Sequence, residues 1–340
     1  MSEHFIKNIE IRNFKCFEDF KAEGFGRVNL IGGKNNVGKS TLLEALYINL
    51  NADNQNWFLN SIFDIVRKRD NFFLSNITET TYKFFKTAFS YKSTLIKEYE
   101  NGYHNSINTN LNRTEFRFLE KFSGTTISYN INNESDKENI LFSDFKDLFK
   151  SDTILYTNNK IHFLRPIGLS NYKIINFYSN IQRINKENQL NSWLNKFDKT
   201  ITKFKIIDSE PQIFQNNKYI SVTQLGDGAK KLINIFISIY SSQKGVILID
   251  EIDNGIHYSY LDKLWEIILT ISKQQNVQVF ATTHSKECIE SYARVAKKLE
   301  DEEIIFIELG KNKEDEIKAM VYPYDWFIDE VEQNHEVRGW

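Results

Sequence analysis

Residues 28–41 read Val-Asn-Leu-Ile-Gly-Gly-Lys-Asn-Asn-Val-Gly-Lys-Ser-Thr, and they constrain the fold more than any other stretch of the chain. The apolar run 28–31 predicts a buried strand. Gly33, Lys34, Asn35, Asn36, Val37, Gly38, Lys39 and Ser40 then match G-x-x-x-x-G-K-S, and from Thr41 the sequence reads as a helix through residue 46. This is a phosphate-binding loop in the strand–loop–helix setting that the motif requires. The glycines let the backbone curl so that successive N–H groups point at one centre, and the helix adds its positive end. Lys39 can reach the β- and γ-phosphates of a nucleotide, and the Ser40 hydroxyl can ligate Mg²⁺. A chance Gly-rich turn would not carry this context on both sides.

A chain of 340 residues has room for one large domain or two modest ones, and 41% hydrophobic residues supply a sizeable core. The net charge of −2 does not mark the whole chain as a nucleic-acid binder. Cys16 and Cys288 fit neither a disulfide framework nor a zinc site, which predicts a reducing cytoplasmic setting. No signal-peptide h-region stands near the N-terminus, and no apolar run approaches the ~20 residues of a membrane span.

In chain order, 4–11 predicts a strand, 12–15 a turn, and Phe17, Phe20 and Ala22 a second strand. Strands followed by a nucleotide loop argue for an α/β domain beginning at the N-terminus. Residues 51–165 alternate Asn-rich and aromatic stretches without a clean period. Within them 78–97 fits strands or a helix, 116–131 two strands joined at Ser123-Gly124, and 132–139 a polar turn. We expect three parts: 1–50 and 166–340 as the halves of an ATPase head, and 51–165 as an insertion. Residues 172–178 predict a strand. Leu190, Trp193, Leu194 and Phe197 share one face of a helix over 186–203, and 204–207 and 213–222 predict further strands.

Three later stretches fit the phosphate loop. Four apolar residues, 246–249, end in Asp250-Glu251. A buried parallel strand would deliver both acids to the sheet's C-terminal edge, Asp250 to hold Mg²⁺ mainly through water and Glu251 to accept a proton from the attacking water. A second apolar run, 277–281, ends in Thr282-Thr283-His284-Ser285. His284 there would sense the γ-phosphate and orient water, although a single His at a strand end is more often structural. Leu225-Gly226-Asp227-Gly228-Ala229-Lys230-Lys231 opens an apolar helix, an anion-binding end best used on a nucleotide held by another subunit. An ordinary helix cap by Asp227 is the plainer alternative.

These four segments, in this order, resemble the ABC-type ATPases. The closer likeness is to the SMC/RecF-like branch that includes OLD-family proteins and small stand-alone AAA-type ATPases of bacterial phage-defence loci. The N-terminal Ile-Arg-Asn-Phe-Lys-Cys-Phe and the final Tyr324-Asp-Trp-Phe and Glu336-Val-Arg-Gly share in it; residues 51–165 do not. The resemblance implies an α/β ABC-type P-loop head with a mixed, largely parallel central sheet, N-terminal antiparallel strands and an inserted α+β region. It implies ATP and Mg²⁺ as ligands, Lys39 and Ser40 on phosphate and metal, Asp250 on the metal, Glu251 as base and His284 as switch. Asp253 falls in the D-loop, which crosses the dimer interface in that family, and His257 beyond it reads as structural. Two subunits would sandwich two ATPs, each site completed by the partner's Gly226, Asp227 and Gly228. A regulatory role in anti-phage defence beside a separate effector protein follows by analogy.

Two departures stand out. Gly226 takes the place of the signature Ser, and Gln182 is the one weak candidate for a Q-loop. Other readings remain open. Asn312-Lys313-Glu314-Asp315 matches a guanine-reading pattern, but no Asp-x-x-Gly switch accompanies it, and 304–321 reads as two strands joined by a polar turn. No acidic Toprim set is visible, and His335 lacks the partners of an HNH nuclease. A RecF-like repair ATPase would need a DNA-facing surface, for which Lys92/Lys97, Arg113/Arg117/Lys121 and Lys196/Lys199/Lys203/Lys205 are candidates. A non-hydrolysing nucleotide-dependent scaffold is opposed by Glu251 and mildly favoured by the missing Ser.

Overall fold

Parallel strands buried on both faces read as unbroken apolar runs, and the centre of the molecule is built from such runs. In the computed structural model the described residues are 5–52, 54, 57, 58, 60–62, 64, 65, 158–333 and 335, together with the backbone of four strands between 89 and 141. Strand β1 spans Ile6–Phe14, β2 Phe17–Glu23 and β3 Val28–Gly33, and helix α1 spans Lys39–Leu50. Strands β4 (Phe89–Tyr99), β5 (Leu111–Lys121), β6 (Gly124–Ile131) and β7 (Glu138–Leu141) follow. Next come β8 (Ile161–Leu164), α2 (Asn171–Arg183), α3 (Glu187–Phe197) and the meander β9 (Ile201–Ile207), β10 (Glu210–Gln215) and β11 (Lys218–Ser221). Helix α4 (Asp227–Ser241), β12 (Val246–Ile249), α5 (Leu261–Gln275), β13 (Gln278–Thr282) and α6 (Lys286–Leu299) lead to β14 (Ile304–Lys311), β15 (Ile317–Pro323) and α7 (Tyr324–Glu332).

The central sheet runs β15-β14-β3-β13-β12-β8, with only the edge strand β15 antiparallel. Its side chains alternate between two cores, as a two-residue period dictates. Val28, Leu30, Ile247, Ile249, Val279 and Ala281 face α4, α5 and α6. Ile31, Leu248, Phe280 and Ile307 face α1 and the N-terminal strands. Helix α1 is buried almost all round, from Leu42 to Leu50, which suits a helix apolar on every side. A second, antiparallel sheet runs β2-β1-β4-β5-β6-β7. Gln278 ties it to the first: its Oε1 accepts from Ile6 N and its Nε2 donates to Ile6 O, each at 2.8 Å. Buried Arg27 is paired with Asp301 and Glu303, so this cation is not left uncompensated. Among the described residues no helix is long and apolar enough to cross a membrane.

Several expectations change. Residues 172–178 are not a strand but part of α2. Ser170 caps it through Lys173 N, and Ile174, Phe177, Tyr178 and Ile181 are buried at helical spacing. The helix expected over 186–203 stops at Phe197, and β9 begins at Ile201. The first turn shifts to Lys15-Cys16, because β1 continues to pair through Phe14↔Phe17. Residues 213–222 divide at Asn216-Asn217, both with positive φ, as a two-residue hairpin requires. The two strands around Ser123-Gly124 form as expected, with Lys121 opposite Gly124. Residues 138 and 139 open β7 rather than ending a turn; 132–137 lie outside the described residues, as do 78–88 and 336–340.

Candidate nucleotide site

Strand β3 ends at Gly33, whose φ of 137° and contact with β14 leave no room for a side chain: a Cβ would lie 2.4 Å from Leu309 O. Lys34, Asn35 and Asn36 project into solvent, and Val37 plugs the core beneath them. Gly38 takes φ 86° and opens α1. The loop stands directly before the N-terminus of α1, where N–H groups without helical partners favour an anion. Lys39 is 5% exposed, and its Nζ donates to Gly33 O and Lys34 O at 2.7 Å each. Burial pulls its pKa down to about 8, against the opposing pull of Asp250 and Glu251.

The acids arrive from β12. Asp250 Oδ1 accepts from Ser40 Oγ at 2.9 Å and from Thr282 Oγ1 at 2.7 Å. The same Thr282 hydroxyl accepts from Glu251 N at 2.8 Å. Glu251 sits at φ 49°, a strained backbone for a residue with a Cβ, and its Oε2 accepts from Asn254 Nδ2 at 3.0 Å. Asp253 accepts from Thr283 Oγ1 at 2.7 Å. His284 is exposed beyond β13. Its pKa is lowered by burial and by Lys39, with Glu251, Asp253 and Asp250 opposing, which puts it within electrostatic reach of the loop lysine and all three acids.

The structure therefore brings Lys39, Ser40, Asp250, Glu251, Asp253 and His284 to the C-terminal edge of one sheet. Asp227 and Gly228 lie against the loop that follows Glu251, where a Cβ on Gly228 would lie 2.6 Å from Gly255 O, while a Cβ on Gly226 would meet nothing within 4 Å. Gly226, not Asp227, is the residue that caps α4, and it makes no side-chain cap. Lys231, one turn into α4, reaches back with its Nζ 3.0 Å from Asp250 O. His257 caps a short turn through Ser259 N, a structural role. Gln182 is exposed on α2 and does not follow a strand, so it is not a Q-loop residue of the expected kind. Asn312 spends its Oδ1 on the Glu314 and Glu316 amides of the β14–β15 turn. His335 is bonded to Glu330 at 2.7 Å. The basic clusters at 92–121 have no described side chains.

Sequence reasoning missed Thr282, whose hydroxyl bonds the Asp250 carboxylate and the Glu251 amide, Asn254, which donates to the Glu251 carboxylate, and Lys231, which meets the Asp250 carbonyl. The available signal was the Thr-Thr pair at the end of an apolar strand. The Ser40 hydroxyl and the Asp250 carboxylate, converging from two elements, are hard oxygen donors of the kind Mg²⁺ takes alongside substrate phosphates and water.

The fold is that of an SMC head. An SMC head bound to the C-terminal winged-helix domain of ScpA superposes with a TM-score of 0.56 at 14% identity, covering 94% of this chain and 98% of that one. A Pyrococcus furiosus SMC head with an extended coiled coil, bound to the C-terminal domain of ScpA, also gives 0.56, at 12% identity over 97% of this chain and 99% of that one. A Helicobacter pylori protein named ATP/GTP phosphatase is 25% identical over 86% of this chain and 88% of its own length. The Septu protein PtuA of Bacillus mycoides is 24% identical over 88% of this chain, which spans only 41% of PtuA. The family model described as "AAA domain, putative AbiEii toxin, Type IV TA system" matches residues 28–290, well over half of the chain, and the chain belongs to that family, built on the ABC-type head fold.

Proposed function

We propose that the chain binds and hydrolyses ATP, with Mg²⁺, in sites completed by a second copy. The carrying observation is the chain of hydrogen bonds Ser40–Asp250–Thr282–Glu251, which couples the phosphate loop to the Asp250 carboxylate and to the backbone amide of Glu251. Lys39 would leave the loop carbonyls for the β- and γ-phosphates, and the loop amides would hold the same oxygens. Ser40 and Asp250 would hold Mg²⁺, whose charge offsets that of the phosphates. Glu251 would accept a proton from water as its oxygen bonds to the γ-phosphorus and the bond to the β-phosphate oxygen breaks, releasing ADP and phosphate. Asn254 aims the Glu251 carboxylate, and His284 would orient the water. Gly226 offers the partner's γ-phosphate only N–H groups, so slow turnover is expected.

The similarity to PtuA supports a regulatory ATPase of anti-phage defence, acting with a separate effector protein. ATP-dependent pairing of heads would then be the switch that the effector reads. The test is turnover and binding in the full chain. Glu251→Gln should keep ATP affinity and lose about 10²–10⁴-fold in hydrolysis rate, while Lys39→Ala should lose binding. Hydrolysis at the wild-type rate by Glu251→Gln would overturn the assignment of the base.

A further inference from the structure

Strand β12 ends at Ile249, and the backbone that follows is held by its neighbours one group at a time. Asp250 N donates to Leu164 O at 2.8 Å, and Ile252 N donates to Thr282 O at 2.9 Å. Between them lies the peptide unit that joins Asp250 to Glu251. Side chains from two other elements hold it at both ends. Its N–H donates to Thr282 Oγ1, at the end of β13, at 2.8 Å. Its C=O accepts from Lys231 Nζ, on α4, at 3.0 Å. A peptide unit is planar, so bonds at its two ends fix the rotation of the whole plane, and with it the φ of Glu251. That φ is 49°, a left-handed value that a residue with a Cβ keeps only where its surroundings impose it. Lys231 is 4% exposed. Burial lowers its pKa to about 8, while Asp250, Glu251 and Asp253 favour the charged form. Water satisfies a strand-end carbonyl without burying an ammonium, so serving this carbonyl with a lysine makes sense where its direction matters.

We propose that Lys231 is a positioning residue for hydrolysis: from α4 it fixes the Asp250–Glu251 peptide, and so sets the direction in which the Glu251 carboxylate leaves the main chain. The proposal rests on the reading of Glu251 as the base. Without the Lys231 ammonium the peptide is held at one end only. It can then turn about its bond to Thr282, and Glu251 can relax out of the left-handed region and carry its carboxylate away from the sheet edge. Asp250 keeps its own anchors, because its carboxylate is bonded to Ser40 and Thr282 and its N–H to Leu164 O. Lys39 makes its bonds within the phosphate loop and none to this peptide. Loss of Lys231 therefore acts on the base and leaves the groups for phosphate and metal in place.

The experiment is a double-mutant cycle on the full chain, read by single-turnover hydrolysis of ATP and by titration with methylanthraniloyl-ATP. Lys231→Met keeps the length of the side chain and removes its donors. It should lower the hydrolysis rate about 10–100-fold, with affinity for the nucleotide within about twofold of wild type. In the Glu251→Gln background the same substitution should cost less than about twofold, because a residue that acts only through the base has nothing left to position. A lysine needed merely for folding would lower the rate by the same factor in both backgrounds. Lys231→Gln, polar but too short to reach the carbonyl, repeats the cycle should the Met variant fail to fold. Equal losses in both backgrounds, a wild-type rate in Lys231→Met, or a loss confined to nucleotide affinity would overturn the role of Lys231 and leave the base where it is. Hydrolysis at the wild-type rate by Glu251→Gln alone would instead overturn the base, and the role of Lys231 with it, so the two failures are told apart.

Discussion

Thr282 makes two bonds with one hydroxyl: it donates to Asp250 and accepts from the Glu251 amide. At 1% exposure it has no water to fall back on. Thr282→Val keeps the shape and removes both bonds, so about 1–3 kcal/mol of stability should be lost to the unpaired groups. Turnover should fall about 10–100-fold, in line with about 1.4 kcal/mol of positioning energy per tenfold, with ATP affinity less affected; Thr282→Ser should restore both. His162 carries a different residue-scale consequence. It is buried, stacked on Phe177 with ring centroids 3.8 Å apart, and bonded to Ser242 Oγ at 2.8 Å. Burial, helped by Lys173, pulls its pKa from 6.5 to about 3. Between those values the unfolded chain holds a proton that the folded chain does not, so stability falls as pH drops through that window, by up to about 1.4 kcal/mol per unit. Above pH 6.5 this contribution is flat. Urea midpoints measured from pH 7 to 4.5 should decline less steeply in His162→Gln than in the wild type.

At the scale of elements, the start of α4 and the loop after β12 are in contact through two glycines. Gly228→Ala would place a methyl 2.6 Å from Gly255 O, backbone that cannot swing aside as a side chain would. The expected result is a folded protein, destabilised by about 1–3 kcal/mol, whose Asp253–Gly255 loop is displaced; circular dichroism should be native while ATP turnover is lost. The same elements divide what could be read from the sequence from what could not. Strands β3, β12 and β13 were legible because a strand buried on both faces must be apolar throughout, and each ends in the polar residues that the sheet edge presents. Helix α2 was not, because Tyr172 to Tyr178 is rich in aromatic and β-branched residues, and its period shows only when Ile181 is counted with Ile174, Phe177 and Tyr178. The phosphate loop and the acids follow from contiguous motifs. Thr282, Asn254 and Lys231 act across elements, and no local pattern encodes which strand end will face which acid.

For the whole molecule, the decisive property is that the groups proposed for phosphate and metal gather at one sheet edge while the start of α4 is left open to solvent. A Cβ on Gly226 would meet nothing within 4 Å, and Asp227 beside it is largely exposed. Meanwhile Lys39 is held by the carbonyls of its own loop. On the function proposed above, a nucleotide that draws Lys39 onto its phosphates would present a γ-phosphate at the sheet edge, and the open N-terminus of α4 on another copy would supply the N–H groups to receive it. Association should therefore depend on the γ-phosphate. Light scattering of the purified chain should show one mass without nucleotide and with ADP, and at least twice that mass with ATP and Mg²⁺. Glu251→Gln should hold the larger species through the measurement, because the phosphate that bridges the copies is no longer removed, and Gly226→Trp should prevent it by filling the open space before α4 without touching Lys39. A mass that is large in every condition would place assembly on another surface and leave the nucleotide to act within it. A chain that stays monomeric with ATP, while still hydrolysing it, would overturn the role of Gly226, Asp227 and Gly228 in a neighbour's site, since hydrolysis would then need nothing beyond the residues one sheet edge already gathers.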